Sequence, residues 1–145
     1  MKIEYPQNPD TPVSHLPFSP VVRYGDLLFV SGQASVDATG RVVPDTFEGE
    51  MRRSLDHLKK VLEDAGSDLR HVVQVRSYLR DPEDGPRYQE IYREYFQPPY
   101  PARTTVTNCL PPTLRFEVEC VAVVRREKGT VFEEAGGLPE ALPRV

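Results

Sequence analysis

The sequence predicts an α+β fold, a two-layer sandwich in which two helices lie on one face of a mixed β-sheet. Two observations point to the sandwich. Short apolar strand-like runs end at Ser31, three- and four-residue spacing begins at Phe47, strict alternation holds from His71 to Leu79, and helical spacing returns over 84–96. The order that results is two strands, helix, strand, helix, two strands, and two helices can cover only one face of one sheet.

Each element has its own signal. Residues 1–20 carry Pro6, Pro12, Pro17 and Pro20 and read as an irregular arm. A hairpin follows, with residues 21–24 and 27–31 as its strands and Gly25-Asp26 as its turn; glycine supplies the positive φ such a reversal uses. The return strand is apolar without a break, as expected of a central strand covered on both faces. Residues 32–44 form a turn-rich excursion that reverses near Asp37-Ala38-Thr39-Gly40. Phe47, Met51, Leu55, Leu58, Leu62 and Ala65 then mark one helix face, and Gly66 ends the helix. Residues 71–79 alternate, with Val73, Val75, Ser77 and Leu79 on one side and Val72, Gln74, Arg76 and Tyr78 on the other. A second helix over 84–96 aligns Tyr88, Ile91, Tyr92, Tyr95 and Phe96, and Pro98, Pro99 and Pro101 stop it. Residues 103–109 and 115–125 read as strands. Residues 126–145, with Gly136-Gly137, Pro139 and Pro143, read as a tail. The 145 residues make one domain.

Composition narrows the function classes. No apolar run approaches the roughly 18–20 residues of a membrane span, and the N-terminus has no apolar signal core, so a cytoplasmic location is expected. A net charge of −4 offers no broad basic face for nucleic acid. Cys109 and Cys120 form neither a disulfide framework nor a zinc spacing, and both read as structural. His15, His57 and His71 are scattered, and no phosphate-cradling loop, nucleophile elbow or metal-ligand set is present.

The second face of the sheet carries the chemistry. In the last strand Phe116, Val118, Cys120, Ala122 and Val124 point beneath the helices, while Arg115, Glu117, Glu119, Val121 and Val123 point away. That mixed face is a candidate oligomer surface, with an ordinary solvated face as the alternative. Carboxylates buried there would tend to keep their protons, which makes them candidate acids or bases. Arg103, Thr105 and Thr107 share a face of their strand, and a planar guanidinium flanked by hydroxyls suits a small carboxylate.

Several segments together resemble one family. These are Phe29-Val30-Ser31-Gly32-Gln33, the helix ending in Ala65-Gly66, the run from Tyr88 to Phe96, Tyr100-Pro101-Ala102-Arg103-Thr104-Thr105-Val106, and Arg115-Phe116-Glu117-Val118-Glu119. Over residues 16–125 the chain resembles the reactive intermediate deaminases, also called the endoribonuclease L-PSP family. The resemblance implies a chorismate-mutase-like fold assembled as a homotrimer with clefts between subunits, and cofactor-free hydrolysis of 2-aminoacrylate-like enamine or imine acids to 2-keto acids and ammonia. It further implies that Arg103 binds the substrate carboxylate, Glu117 orients water and moves protons, Ser31 lines the pocket, and the main chain at Thr105 meets the reacting end. Phe18 and Gln89 stand where members carry tyrosine and asparagine, and Thr105 where they carry cysteine, changes expected to alter the polar lining. Arg103 and Glu117 are expected to converge from adjoining strands on a crevice completed by assembly. A non-catalytic trimer that binds small carboxylates is the alternative, and RNA cleavage, suggested only by the older family label, is a third.

Overall fold

In the computed structural model, which describes residues 1–10 and 14–126, eight main elements follow in order. They are β1 (Ile3–Glu4), β2 (Val21–Tyr24), β3 (Leu27–Ala34), α1 (Phe47–Asp64), β4 (Val72–Leu79), α2 (Gly85–Tyr95), β5 (Ala102–Thr107) and β6 (Phe116–Val123). Pro12 and the expected tail beyond residue 126 lie outside the described residues. The strands form one mixed sheet in the order β1-β2-β3-β6-β4-β5, antiparallel except for the parallel β4–β5 pair. This is the expected α+β layering, with one addition: the arm contributes β1, which pairs with β2.

Local chemistry sets the boundaries. Gly25, at φ 60°, makes the β2–β3 reversal. Asp37 closes the next reversal by accepting hydrogen bonds from the Thr39 and Arg41 amides at 2.8 and 3.0 Å. Thr46 caps α1 by accepting from the Gly49 amide at 3.2 Å, and Gly66, at φ 87°, follows its end. Beneath the helices, Leu28 and Val30 of β3, Val75 and Leu79 of β4, and Phe116, Val118, Cys120 and Ala122 of β6 pack against Met51, Leu55, Leu58 and Leu62 of α1 and Tyr88 and Ile91 of α2. The histidines His57 and His71 are held locally, by the Val36 carbonyl at 2.9 Å and by Asp68 at 2.7 Å.

Two expectations need correction. β3 is central, but only one of its faces is covered: Leu28 and Val30 are buried, whereas Leu27 and Phe29 are 39% and 45% exposed. Both apolar sides were read as core because a continuous apolar run does not say what covers its second face. In β4 the register shifts between Val72 and Gln74 in the pairing with β6. That irregularity brings Val72 into the core and leaves Val73 exposed, reversing the sides assigned by simple alternation.

One buried acid ties the start of β6 to α1. Glu50, only 1% exposed, accepts hydrogen bonds from the Arg115 amide at 3.0 Å and the Asp45 amide at 3.3 Å. Glu50→Ala removes both and leaves the two donors without this partner, so it is expected to destabilise the protein by about 2–3 kcal/mol. A lower urea midpoint at unchanged denaturant slope would show this.

Candidate functional site

The parallel β4–β5 pair fixes where Arg103 lies. Parallel neighbours require a crossover, here α2, which leaves the far end of β4 and delivers the chain back to the beginning of β5. Arg103 is therefore level with Val75, whose side chain is in the core beneath the helices. Its guanidinium carbon sits 5.1 Å from the Tyr88 ring centroid and 4.6 Å from that of Tyr92, two cation–π contacts that hold the charged group against α2. Thr105, two residues on, donates its hydroxyl to the Tyr88 oxygen at 3.1 Å, and Tyr88 donates in turn to Ser77 at 2.8 Å. Tyr88 and Tyr92 had been legible only as core aromatics. Their spacing on the helix was plain, but not that the crossover would lay them beside Arg103.

Beside these groups a cavity of about 240 Å³ is lined by Gln89, Tyr92, Arg93, Tyr100, Pro101 and Arg103. The Tyr92 hydroxyl is buried and has no hydrogen-bond partner among the described residues. Burial pushes its pKa well above that of an ordinary phenol.

Glu117 belongs to the other side of the sheet. It follows core-facing Phe116 on β6 and is level with Ala34 of β3 and Tyr78 of β4. Its carboxylate lies against the Gly32 backbone so closely that a Cβ added there would overlap it. Among the described residues it has neither a hydrogen bond nor an ion pair. Burial, and then the negative charge of Glu119, raise its pKa above the ordinary carboxylate value. Glu119 is itself engaged, accepting a hydrogen bond from the Tyr78 hydroxyl, which together with burial pushes the phenol up to about 12. Ser31, next to Gly32, donates its hydroxyl to the Ser19 carbonyl at 2.5 Å and so fastens the arm to β3.

The expected convergence of Arg103 and Glu117 from adjoining strands does not occur within one chain. β4 separates β5 from β6, and alternation directs the two side chains to opposite faces. The structure brings together Arg103 and Gln89 at one cavity, with Thr105 nearby on the Tyr88 hydroxyl. It brings Glu117 beside Gly32 on the uncovered face. Phe18 joins neither group: it is 51% exposed and lines a separate crevice with Ser19, Val21, Val61 and Ala65. Among the described residues no group of three or more histidine, cysteine, aspartate or glutamate side chains is arranged to hold a metal ion. Nor is any described helix long and apolar enough to cross a membrane.

Known proteins agree with this architecture. The family model described as endoribonuclease L-PSP matches residues 9–124. A RutC family protein of Pyrococcus abyssi is 36% identical over 108 residues, covering 73% of this chain and 85% of the relative. The mouse 2-iminobutanoate/2-iminopropanoate deaminase is 35% identical over 109 residues, covering 74% and 81%. The crystal structure of a Rid family protein of unknown function from Yersinia pestis superposes with a TM-score of 0.78 at 26% identity, over 85% of this chain and all of the other. With its sheet, its helices and its sequence matched over most of their length, the chain belongs to the endoribonuclease L-PSP family, the reactive intermediate deaminases.

Proposed function

We propose that the protein hydrolyses reactive 2-imino and enamine acids to 2-keto acids and ammonia, at sites formed between copies of a homotrimer. The observation that carries this reading is the division of the site. A cation suited to a carboxylate lies at the edge strand, and a proton-holding acid lies on the uncovered face, so a second copy is needed to bring them together. Supporting it, all six residues of β5 are exposed, and among the described residues no strand lies beside its outer edge. Such an edge calls for cover. The uncovered face also displays Tyr24, Leu27, Phe29 and Val106, each between 39% and 45% exposed. Large apolar side chains grouped in this way mark an association surface.

The chemistry follows from the groups themselves. Arg103 would take the substrate carboxylate through paired charge-assisted hydrogen bonds, with its plane set by the two tyrosine rings. An enamine first gains a proton at carbon and becomes the imine. Water then adds to the imine carbon, and Glu117 would take a proton from that water and return one to the nitrogen. Collapse of the resulting carbinolamine releases ammonia and leaves the keto acid. A carboxyl group whose pKa is raised by burial and by Glu119 keeps its proton to higher pH than an ordinary carboxylate, which suits it to proton transfer. In the homologous segment Thr105 would align the reacting end through its main chain while its hydroxyl stays with Tyr88. Ser31 would line the cleft beside Glu117. Phe18 would form its apolar rim, reached from the neighbouring copy, and Gln89 would add an amide near Arg103.

Ammonia release from 2-aminoacrylate generated in solution tests the reading, with Arg103→Ala expected to lose it. Retention of wild-type turnover by Arg103→Ala would refute the carboxylate clamp, and binding of 2-keto acids without any turnover would favour the non-catalytic alternative. Gly32→Ala should displace the Glu117 carboxylate, a movable side-chain end, and so preserve the fold while lowering kcat/KM on the order of 100-fold. Glu117 also makes a pH prediction. Its folded-state pKa is raised from 4.5, so its contribution to stability is complete below that value and is lost as pH rises through the folded one. The denaturation midpoint of Glu117→Gln should therefore gain on wild type as pH rises above 4.5.

A further inference from the structure

The Arg103 cavity contains more positive charge than one carboxylate requires. Arg93, in the last turn of α2, lines it together with Gln89, four residues earlier on the same helix face. Other arginines of the two helices have acidic partners: Arg87 reaches Glu48 and Glu90, and Arg52 reaches Glu48 and Glu94. Among the described residues neither Arg93 nor Arg103 has a carboxylate within ion-pair distance. Tyr92, which lines the same cavity, keeps a buried hydroxyl with no partner there. Two guanidiniums without a carboxylate partner, an amide and an unsatisfied phenol give the cavity an excess of donors.

We propose that this cavity recognises a short dicarboxylic acid, with one carboxylate on Arg103 and the second on Arg93. Gln89 and Tyr92 supply further donors. The guanidiniums stand on different elements, α2 and β5, which suits two groups at the ends of a short chain better than one compact anion. At about 240 Å³ in the single chain, the cavity has room for a small metabolite. Read with the proposed deamination, on which this extension rests, the preferred substrates are 2-imino acids whose side chain ends in its own carboxylate. The discrimination comes from an added attraction, because Arg93 remains solvated when a substrate lacks the second acid. Since Arg93 is exposed, the expected preference is modest, about five- to tenfold.

Calorimetry with the keto-acid products tests recognition without requiring turnover. The full-length protein should bind 2-oxoglutarate at least about fivefold more tightly than 2-oxobutanoate, and Arg93→Gln should remove that preference. Arg70→Gln, at an exposed arginine outside the cavity, should retain it. Equal binding of the two acids by wild type, or a preference that survives Arg93→Gln, overturns the proposal. In turnover, the ratio of kcat/KM for dicarboxylic over monocarboxylic imines, both generated in solution, should fall to the same extent in Arg93→Gln. A binding preference that follows Arg93 without any release of ammonia would sustain the dicarboxylate site and refute the deaminase reading, so the two failures are distinguishable.

Discussion

Side-chain alternation in a sheet covered on one face governs the functional organisation of this protein. Along β5 and β6 successive residues point to opposite sides, and the helices take one side only. Arg103 thus lies with the helices and Glu117 lies away from them, with β4 between their strands. No rotamer change reverses a strand's alternation, whereas apposition of two chains can bring opposite faces together. In the proposed assembly, a divided site and an association surface would be two consequences of the same layering.

The electrostatics of the two groups suit that division. Arg103 is held by aromatic faces, contacts that orient the guanidinium and leave its N–H donors available to an incoming carboxylate. Glu117 is in the opposite condition, partly desolvated, beside a second carboxylate and without a donor of its own. Its neighbour Glu119 is kept occupied by Tyr78, so the two adjacent acids are given different environments. In the proposed reaction, that asymmetry would let one carboxyl group handle protons while the other remains structural.

Most of the fold was legible in the sequence because its periodicities are clean. The five-turn stripe from Phe47 and the alternation from Phe116 to Val123 specify α1 and β6 closely. The register shift in β4 was not legible, since Val72 and Val73 are the same residue type and either could face the core. The coverage of β3 differs from expectation for a related reason: a continuous apolar run does not say what covers its second face, and this chain leaves that face open. At the site, residue types were easier to read than relative position. The Pro101-Ala102-Arg103 segment and the glutamate of β6 stood out. The placement of β4 between them is a long-range pairing, and no local pattern records it. Glu50 was likewise overlooked, because on a helical wheel it reads as a polar residue of the first turn rather than as the acceptor for β6.

Subunit complementation addresses the divided site most directly. Arg103→Ala and Glu117→Gln chains, each inactive alone, would be unfolded together and reassembled at equal concentration. If each site takes its arginine from one chain and its glutamate from the next, random reassembly restores roughly one quarter of the sites, and deaminase activity should return toward that level. Mixtures that stay as inactive as the parents, although the chains have co-assembled, would contradict a site shared between copies.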